Sequence, residues 1–265
     1  MIHITDQDLK ENLKLVTTIE EPYYLPPIIA GPCRVETFNQ MWSIACQLRQ
    51  LDIKYMRAGV YKPCTFPYAS PGLGKEGLKI IEQIKDGFDL KIVTEIMHSS
   101  QLSDIDLIDV IQVGARNMQN YNLLVDIAQT QKPILLKRHP GASLRDFLGS
   151  AEWIMAQGNK KVILCERGVC MPYTHHPLSR WALDISIIPA VKKYTKLPIF
   201  IDPSHSAGVR DFVPSLSKAS IAAGADGLII EVHPDPDKSQ SDSAQTIDFE
   251  TLKEIVGWIR HHSYQ

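Results

Sequence analysis

Residues 133–167 read PILLKRHPGASLRDFLGSAEWIMAQGNKKVILCER, and this stretch contains the pattern that decides the fold. Two short apolar runs, 133–138 and 161–167, flank a segment, 143–158, in which apolar residues recur with helical spacing. The runs are apolar almost throughout, which is typical of strands that are buried on both faces of a parallel sheet. The stretch therefore predicts a strand–helix–strand unit with parallel strands.

The same alternation extends over nearly the whole chain. Further segments of helical spacing lie at 35–51, 74–87 and 215–225. The predicted strands are 26–31, 53–59, 91–96, 109–115, 133–138, 161–167, 197–202 and 227–232. Eight strands in about 240 residues favour a single-domain (β/α)8 TIM barrel over an open sheet. We expect residues 26–265 to form the catalytic barrel and residues 1–25 to be an N-terminal extension that caps its closed end or contributes to an interface.

Composition and charge exclude several classes of partner. The protein has 265 residues and a net charge of −2, and its basic residues are dispersed, so we expect no nucleic-acid partner. The N-terminus, MIHITDQDLKENLK, is too polar for a signal peptide. No apolar stretch reaches the roughly 18 residues that a membrane-spanning helix needs. Five cysteines without a CxxC pair fit a reducing compartment, so the predicted location is cytoplasmic, with no membrane partner.

Ionisable residues follow nearly every predicted strand. In a (β/α)8 barrel the C-terminal strand ends meet at one open face, where active sites lie. Five of the residues there are cations: Arg57, Lys62, Arg116, Lys137 and Arg167. Cations that converge repel one another, so we infer that they bind a polyanion, most simply a phosphate or a phosphorylated acid.

A second group of residues at the same face offers sulfur, nitrogen and oxygen donors. It consists of Cys33, His205, Glu231 and Asp242. This donor set suits a divalent transition metal ion such as Mn, Fe, Co or Zn. Each residue alone also has a structural explanation: Cys33 as a small core residue, His205 as a loop cap, and the cations as ion-pair partners of Glu95 or Glu166. Their common position at one face favours the functional interpretation.

Several motifs resemble those of a known enzyme family. They are IAGPC (29–33), RAGVYKP (57–63), GARNMQN (114–120), LLKR (135–138), VILCERG (162–168), DPSHSAG (202–208), ADGLIIEVHPDP (225–236) and SDS (241–243). The chain resembles the 3-deoxy-7-phosphoheptulonate (DAHP) synthases, in particular the short bacterial type that is related to the 3-deoxy-octulosonate 8-phosphate (KDO-8-phosphate) synthases. The resemblance extends from about residue 25 to about residue 255.

The resemblance implies a transferase that condenses phosphoenolpyruvate (PEP) with an aldose phosphate, erythrose 4-phosphate, at a divalent metal ion and releases phosphate. It implies that the four donors bind the metal ion, that the five cations bind PEP, and that the reaction belongs to the shikimate pathway of aromatic amino acid biosynthesis. We expect Lys62 to be the proton donor, with its pKa lowered by neighbouring arginines. Arg57 and Asp202 are expected to act beside it. Family members are commonly dimers or tetramers, so a homodimer or homotetramer is expected.

The segment after Lys62 departs from the family pattern. The residues expected to contact the aldehyde are Pro63, Cys64, Thr65 and Asp202. The family has an arginine where Cys64 stands and a small hydroxyl residue where Phe66 stands. A thiol cannot replace the charged, bidentate contact of arginine with a phosphate. Two explanations stay open. The aldehyde differs from erythrose 4-phosphate, or another loop residue supplies the phosphate contact: Arg180, His139, His175 or His176.

Three other functions were weighed against this one. The first is a KDO-8-phosphate synthase, which uses arabinose 5-phosphate, but the motif GARNMQN favours the heptulosonate branch. The second is a non-catalytic barrel with a binding role, which the retention of every predicted site residue disfavours. The third is an aldolase that forms a Schiff base on Lys62 or Lys137, for which the metal donors would be superfluous.

Overall fold

The computed structural model describes residues 6–24, 28–64, 66–68, 71–172, 176–179 and 181–262. Three residues that the sequence analysis considered for the aldehyde side, Thr65, His175 and Arg180, lie outside the described residues.

Eight parallel strands close into a barrel in the order in which they occur along the chain. They are β1 (Ile28–Gly31), β2 (Tyr55–Arg57), β3 (Lys91–Glu95), β4 (Val110–Val113), β5 (Ile134–Lys137), β6 (Val162–Glu166), β7 (Ile199–Ile201) and β8 (Gly227–Glu231). Strand β1 pairs with β8 as well as with β2, and Gly31 is in register with Glu231. Every strand falls inside its predicted range, so the predicted (β/α)8 barrel is confirmed.

Helices connect the strands on the outside of the barrel. Those of the described residues are α1 (Asp6–Asn12), α2 (Phe38–Gln50), α3 (Lys75–Gly87), α4 (Tyr121–Ala128), α5 (Leu144–Met155), α6 (Ile187–Tyr194), α7 (Pro203–Ala207), α8 (Val213–Ala222) and α9 (Phe249–His262). None of these helices combines the length and the apolar character that crossing a membrane requires.

Local capping explains where two of the predicted helices begin. Helix α2 begins at Phe38 because the Thr37 side chain accepts a hydrogen bond from the Gln40 amide at 3.1 Å. Helix α5 begins at Leu144 because Ser143 and Asp146 form a reciprocal capping box. Both helices therefore start a little later than the apolar periodicity alone predicts.

The interior of the barrel is filled by apolar side chains from all but one of its strands. This cluster contains Ile29, Val93, Val110, Leu135, Ile163, Cys165, Phe200 and Ile229. Tyr23, from the segment that precedes β1, packs against it together with Tyr55, the first residue of β2. This part of the barrel is therefore a packed core, and the barrel interior leaves room for a site at the C-terminal ends of its strands.

One carboxylate holds the N-terminal segment against the barrel. Glu152 of α5 accepts hydrogen bonds from the amides of Lys14, Leu15 and Val16 at 2.7–2.9 Å. Leu13 and Val16 are buried beside these contacts. The exact boundary between an extension of residues 1–25 and a catalytic domain of residues 26–265 stays a prediction.

We expect the substitution Glu152→Gln to lower the free energy of unfolding by about 1–3 kcal/mol, because the new amide N–H₂ would face the Val16 amide instead of accepting from it. Urea unfolding measures this loss, and limited proteolysis should show earlier cleavage near residue 14. Glu254→Gln is the matched control, since Glu254 makes an exposed ion pair with Lys218 and its loss should cost no more than about 0.5 kcal/mol. Equal effects of the two substitutions would contradict the proposed attachment.

Candidate active site

A cavity of about 630 Å³ opens at the C-terminal ends of the strands. Ten of the predicted site residues line it: Cys33, Arg57, Lys62, Pro63, Cys64, Arg116, Lys137, Arg167, His205 and Asp242. Glu231 and Asp202 lie behind this wall and are fully buried. The strand ends thus bring the two predicted groups of residues to one place.

The four predicted metal donors lie close together. One ligand atom from each of Cys33, His205, Glu231 and Asp242 falls within 4.8 Å of all the others. His205 Nε2 is 3.3 Å from Glu231 Oε1 and 4.0 Å from Cys33 Sγ. The pairing of β1 with β8 explains this proximity, because Glu231 ends β8 and Cys33 follows the end of β1.

Asp202 orients the histidine of this group. It caps helix α7 by accepting a hydrogen bond from the His205 amide at 2.9 Å, and its Oδ2 lies 2.8 Å from His205 Nδ1. With Asp202 on the Nδ1 side of the ring, Nε2 faces Glu231 and Cys33, as is usual for histidines that bind metal ions.

The charge states of His205 and Asp242 fit a divalent transition metal ion, and the Cys33 thiol would lose its proton on binding it. Burial lowers the pKa of His205, which favours the neutral imidazole that binds metals. Burial alone would raise the pKa of Asp242, but Lys62 lowers it and keeps the carboxylate ionised. Burial, with the charge of Glu231, raises the pKa of the Cys33 thiol. A thiol, an imidazole and two carboxylates are ligands of such ions, so the residues present fit the group.

Two of the five predicted cations contact this donor group, and a third contacts the carboxylate behind it. Arg57 donates to Glu231 Oε1 at 2.9 Å and to Cys33 Sγ at 3.0 Å. Lys62 Nζ donates to Asp242 Oδ2 at 2.6 Å. Lys137 donates to Asp202, the residue behind His205. The positive side chains are therefore interleaved with the metal donors.

The other two cations lie further along the cavity wall. Arg116 Nη1 donates to the Pro63 carbonyl at 3.2 Å. The Arg167 guanidinium lies over the Trp181 ring, 5.6 Å from its centroid. All five predicted cations thus face one cavity.

The expected pKa of Lys62 was wrong in direction. Burial lowers the pKa of Lys62, but its interactions with Cys33 and Asp242 outweigh burial, and the pKa is raised above its ordinary value. The sequence analysis considered only the neighbouring arginines. In the structure Arg57 is itself paired with Glu231, so its repulsion is compensated.

The structure corrects the expected place of Asp202. Asp202 does not line the cavity, so its predicted contact with the aldehyde is not supported by its position. Arg138 points away from the cavity and pairs with Glu166 at 2.9 Å and Asp184 at 2.8 Å. Glu166 thus forms a structural ion pair, the alternative that the sequence left open, but with Arg138 and not with one of the five predicted cations.

A buried pair that sequence reasoning missed lies at the centre of the cavity. Gln112 Nε2 donates to Glu95 Oε2 at 2.9 Å, and both residues line the cavity. Burial raises the pKa of Glu95. A Cβ at Gly114 would lie 2.0 Å from Glu95 Oε1, so the Glu95 carboxylate occupies the space that a side chain at this position would need. The position of Glu95 at the end of β3 was the available signal, but it was interpreted as an ion-pair partner.

The side of the cavity assigned to the aldehyde is formed by loops. Pro63, Cys64, His139 and Pro140 line it, while Phe66 is 69% exposed and does not. His176 does not line the cavity either. Of the described residues that were considered as a replacement for the missing arginine, His139 is therefore the one in position.

Sequence comparison identifies relatives along most of the chain. A model of the DAHP synthetase I family matches residues 25–263. A phospho-2-dehydro-3-deoxyheptonate aldolase from Thermotoga maritima is 46% identical over 230 residues, which are 86% of this chain and 67% of that protein. A 2-dehydro-3-deoxyphosphooctonate aldolase from Methylococcus capsulatus is 28% identical over 258 residues, 90% of this chain and 88% of that protein.

Solved structures agree with these matches. The crystal structure of the Thermotoga maritima phospho-2-dehydro-3-deoxyheptonate aldolase (DAHP synthase) superposes with a TM-score of 0.84 at 43% identity, covering 92% of this chain and 70% of that chain. A truncated form of 3-deoxy-D-arabino-heptulosonate 7-phosphate synthase from the same organism gives a TM-score of 0.81 at 41% identity, covering 92% and 87%. The fold, the motifs and the family match over residues 25–263 together mean that this chain belongs to the DAHP synthetase I family.

Proposed function

We propose that this chain is a DAHP synthase, which condenses PEP with erythrose 4-phosphate and releases phosphate. One observation carries the proposal: a metal-type donor group and five cations line or border the same cavity. The chain is 46% identical to the Thermotoga maritima heptonate aldolase and 28% identical to the Methylococcus capsulatus octonate aldolase. This difference supports the heptulosonate product over the octulosonate product.

The cations match the charges of PEP. Its carboxylate and phosphate are anionic at neutral pH, and guanidinium and ammonium groups bind such oxygens with charge-assisted hydrogen bonds. We assign these contacts to Arg57, Lys62, Arg116, Lys137 and Arg167. A small apolar or neutral substrate would offer these five side chains no anionic oxygen to bind.

The reaction that we propose has three parts. C3 of PEP attacks the aldehyde carbon, water adds at C2, and phosphate leaves from the resulting tetrahedral centre. When bound by Cys33, His205, Glu231 and Asp242, a divalent metal ion would supply a Lewis acid for a carbonyl oxygen. The cations hold PEP in line and stabilise the negative charge that the departing phosphate carries.

Two residues have more specific proposed roles. Lys62 is the candidate proton donor: its raised pKa keeps it protonated at neutral pH, and it lines the cavity. Asp202 acts through other residues, since it contacts His205 and Lys137 but not the cavity. We therefore propose that Asp202 positions the metal-binding histidine and the lysine that faces PEP. The cytoplasmic location, the homodimer or homotetramer and the pathway stay predictions from the sequence.

The assay for the proposed function mixes the purified protein with PEP and erythrose 4-phosphate and measures phosphate release. We expect turnover that a chelator abolishes and that added Mn²⁺ restores. A Schiff-base aldolase would keep its activity with the chelator and would be trapped by borohydride, and a non-catalytic barrel would release no phosphate. Turnover with arabinose 5-phosphate alone would instead assign the octulosonate reaction.

The role of Asp202 is tested by Asp202→Asn, which keeps the shape of the side chain and removes its charge. Carboxylates behind metal-binding histidines contribute about 10–100-fold to metal affinity, and we expect a loss of that order in Mn²⁺ affinity. Activity should return when the Mn²⁺ concentration is raised. Asp184→Asn is the control, since Asp184 pairs with Arg138 outside the cavity. Loss of activity at unchanged Mn²⁺ affinity would argue for direct participation in the chemistry.

The aldehyde side is tested with erythrose 4-phosphate and erythrose as a matched pair of substrates. We expect a clear preference for the phosphorylated sugar, with His139 on the cavity wall supplying the phosphate contact. The substitution Cys64→Arg should then change KM for erythrose 4-phosphate by less than about threefold, or roughly 0.7 kcal/mol. A preference for erythrose, or weak use of erythrose 4-phosphate that Cys64→Arg restores, would favour a different natural aldehyde.

A further inference from the structure

The two halves of the site share their hydrogen bonds. Arg57 donates to two of the four metal donors, Cys33 at 3.0 Å and Glu231 at 2.9 Å. Lys62 donates to a third, Asp242, at 2.6 Å. Both cations also line the cavity. Arg57 and Lys62, two of the cations assigned to PEP, therefore also compensate the charge of the metal donors.

Two of these acceptor atoms, Glu231 Oε1 and Cys33 Sγ, also lie near His205 Nε2, the atom with which they would share a metal ion. Glu231 Oε2 accepts a hydrogen bond from Gln245 Nε2, which leaves Oε1 as the atom that faces both Arg57 and His205 Nε2. The Arg57 hydrogen bonds therefore compete for Glu231 Oε1 and Cys33 Sγ. Lys62 competes in the same way for Asp242 Oδ2.

Charge adds to this competition. A divalent ion held by these donors would lie close to the Arg57 guanidinium and the Lys62 ammonium, and like charges at short range in a partly buried site repel strongly. An anion on the cavity side of the two cations would offset that repulsion. A metal ion, in turn, would release the two cations from their present acceptors to bind the anion.

We propose that Arg57 and Lys62 couple the two halves of the site, so that a divalent metal ion and PEP each bind more tightly when the other is present. The proposal rests on the proposed function for the identity of the anion. Because coupling between two equilibrium binding sites is reciprocal, the same factor applies in both directions. The affinity of the site for its metal ion is thereby greatest when substrate is bound.

The test measures binding and requires no turnover. Mn²⁺ is titrated into the protein at fixed pH, and free Mn²⁺ is followed by electron paramagnetic resonance, without PEP and with saturating PEP. For the unsubstituted protein we expect PEP to lower the Kd for Mn²⁺ on the order of tenfold. An unchanged Kd would overturn the proposal.

Two substitutions remove the cations while nearly keeping side-chain length, Arg57→Met and Lys62→Met. Each should bind Mn²⁺ several-fold more tightly than the unsubstituted protein when PEP is absent, because a competing cation is gone. Each should also reduce the effect of PEP on the Kd. Arg260→Met is the matched control, since Arg260 contacts the Leu51 carbonyl away from the cavity, and it should retain the unsubstituted values.

The outcomes separate this proposal from the proposed function. If neither Arg57→Met nor Lys62→Met lowers the Kd for Mn²⁺, the coupling is overturned. This conclusion holds even if the protein turns over PEP normally. Coupling in a protein that consumes no PEP with any aldose phosphate would contradict the enzymatic function alone. Circular dichroism checks that both variants fold. If Arg57→Met does not fold, Lys62→Met alone tests the coupling, because Lys62 is only partly buried and its loss disturbs the fold less.

Discussion

The ion pair between Arg57 and Glu231 is the interaction on which the site depends. Glu231 is fully buried and Arg57 is 4% exposed, so neither charge is compensated by water. Removing one partner of such a pair typically costs about 3–5 kcal/mol, because the remaining charge stays buried. Stability of the fold alone therefore gives no reason for a buried ion pair at this place. The pair becomes understandable in a site that binds charged groups on both sides of it, a metal ion on one side and an anion on the other.

The barrel imposes this arrangement by its closure. Pairing of β1 with β8 sets the end of one strand beside the end of the other, and Glu231 comes to lie next to Cys33. Arg57 ends the neighbouring strand β2, which pairs with the other edge of β1. Because parallel strands all point in one direction, charges at their C-terminal ends accumulate at one face, and each must find an opposite charge there.

Sequence reasoning succeeded where position along a strand determines position in space. The strands, the barrel and the face shared by cations and metal donors follow from apolar runs and from the residues that end them.

Sequence reasoning failed where the outcome depends on which side chains pair. The pKa of Lys62 depends on Asp242, 180 residues away in the chain, and no local pattern indicates that contact. Asp202 was expected to face the aldehyde, but its capping of α7 turns it towards His205. The Glu95–Gln112 pair was missed for the same reason.

Part of the proposed PEP and metal site stands on strand ends, whereas the described residues of the proposed aldehyde side lie in loops. Three of the contacts assigned to the metal ion and PEP come from residues that end strands, Arg57, Lys137 and Glu231, and the barrel fixes their positions. The residues on the aldehyde side, Pro63, Cys64, His139 and Pro140, lie in loops. Loops accept substitution with little effect on the barrel, whereas a change at a strand end disturbs a buried ion pair. The cysteine in place of the family's arginine thus stands where the protein can vary its aldehyde contacts while the chemistry of PEP stays intact.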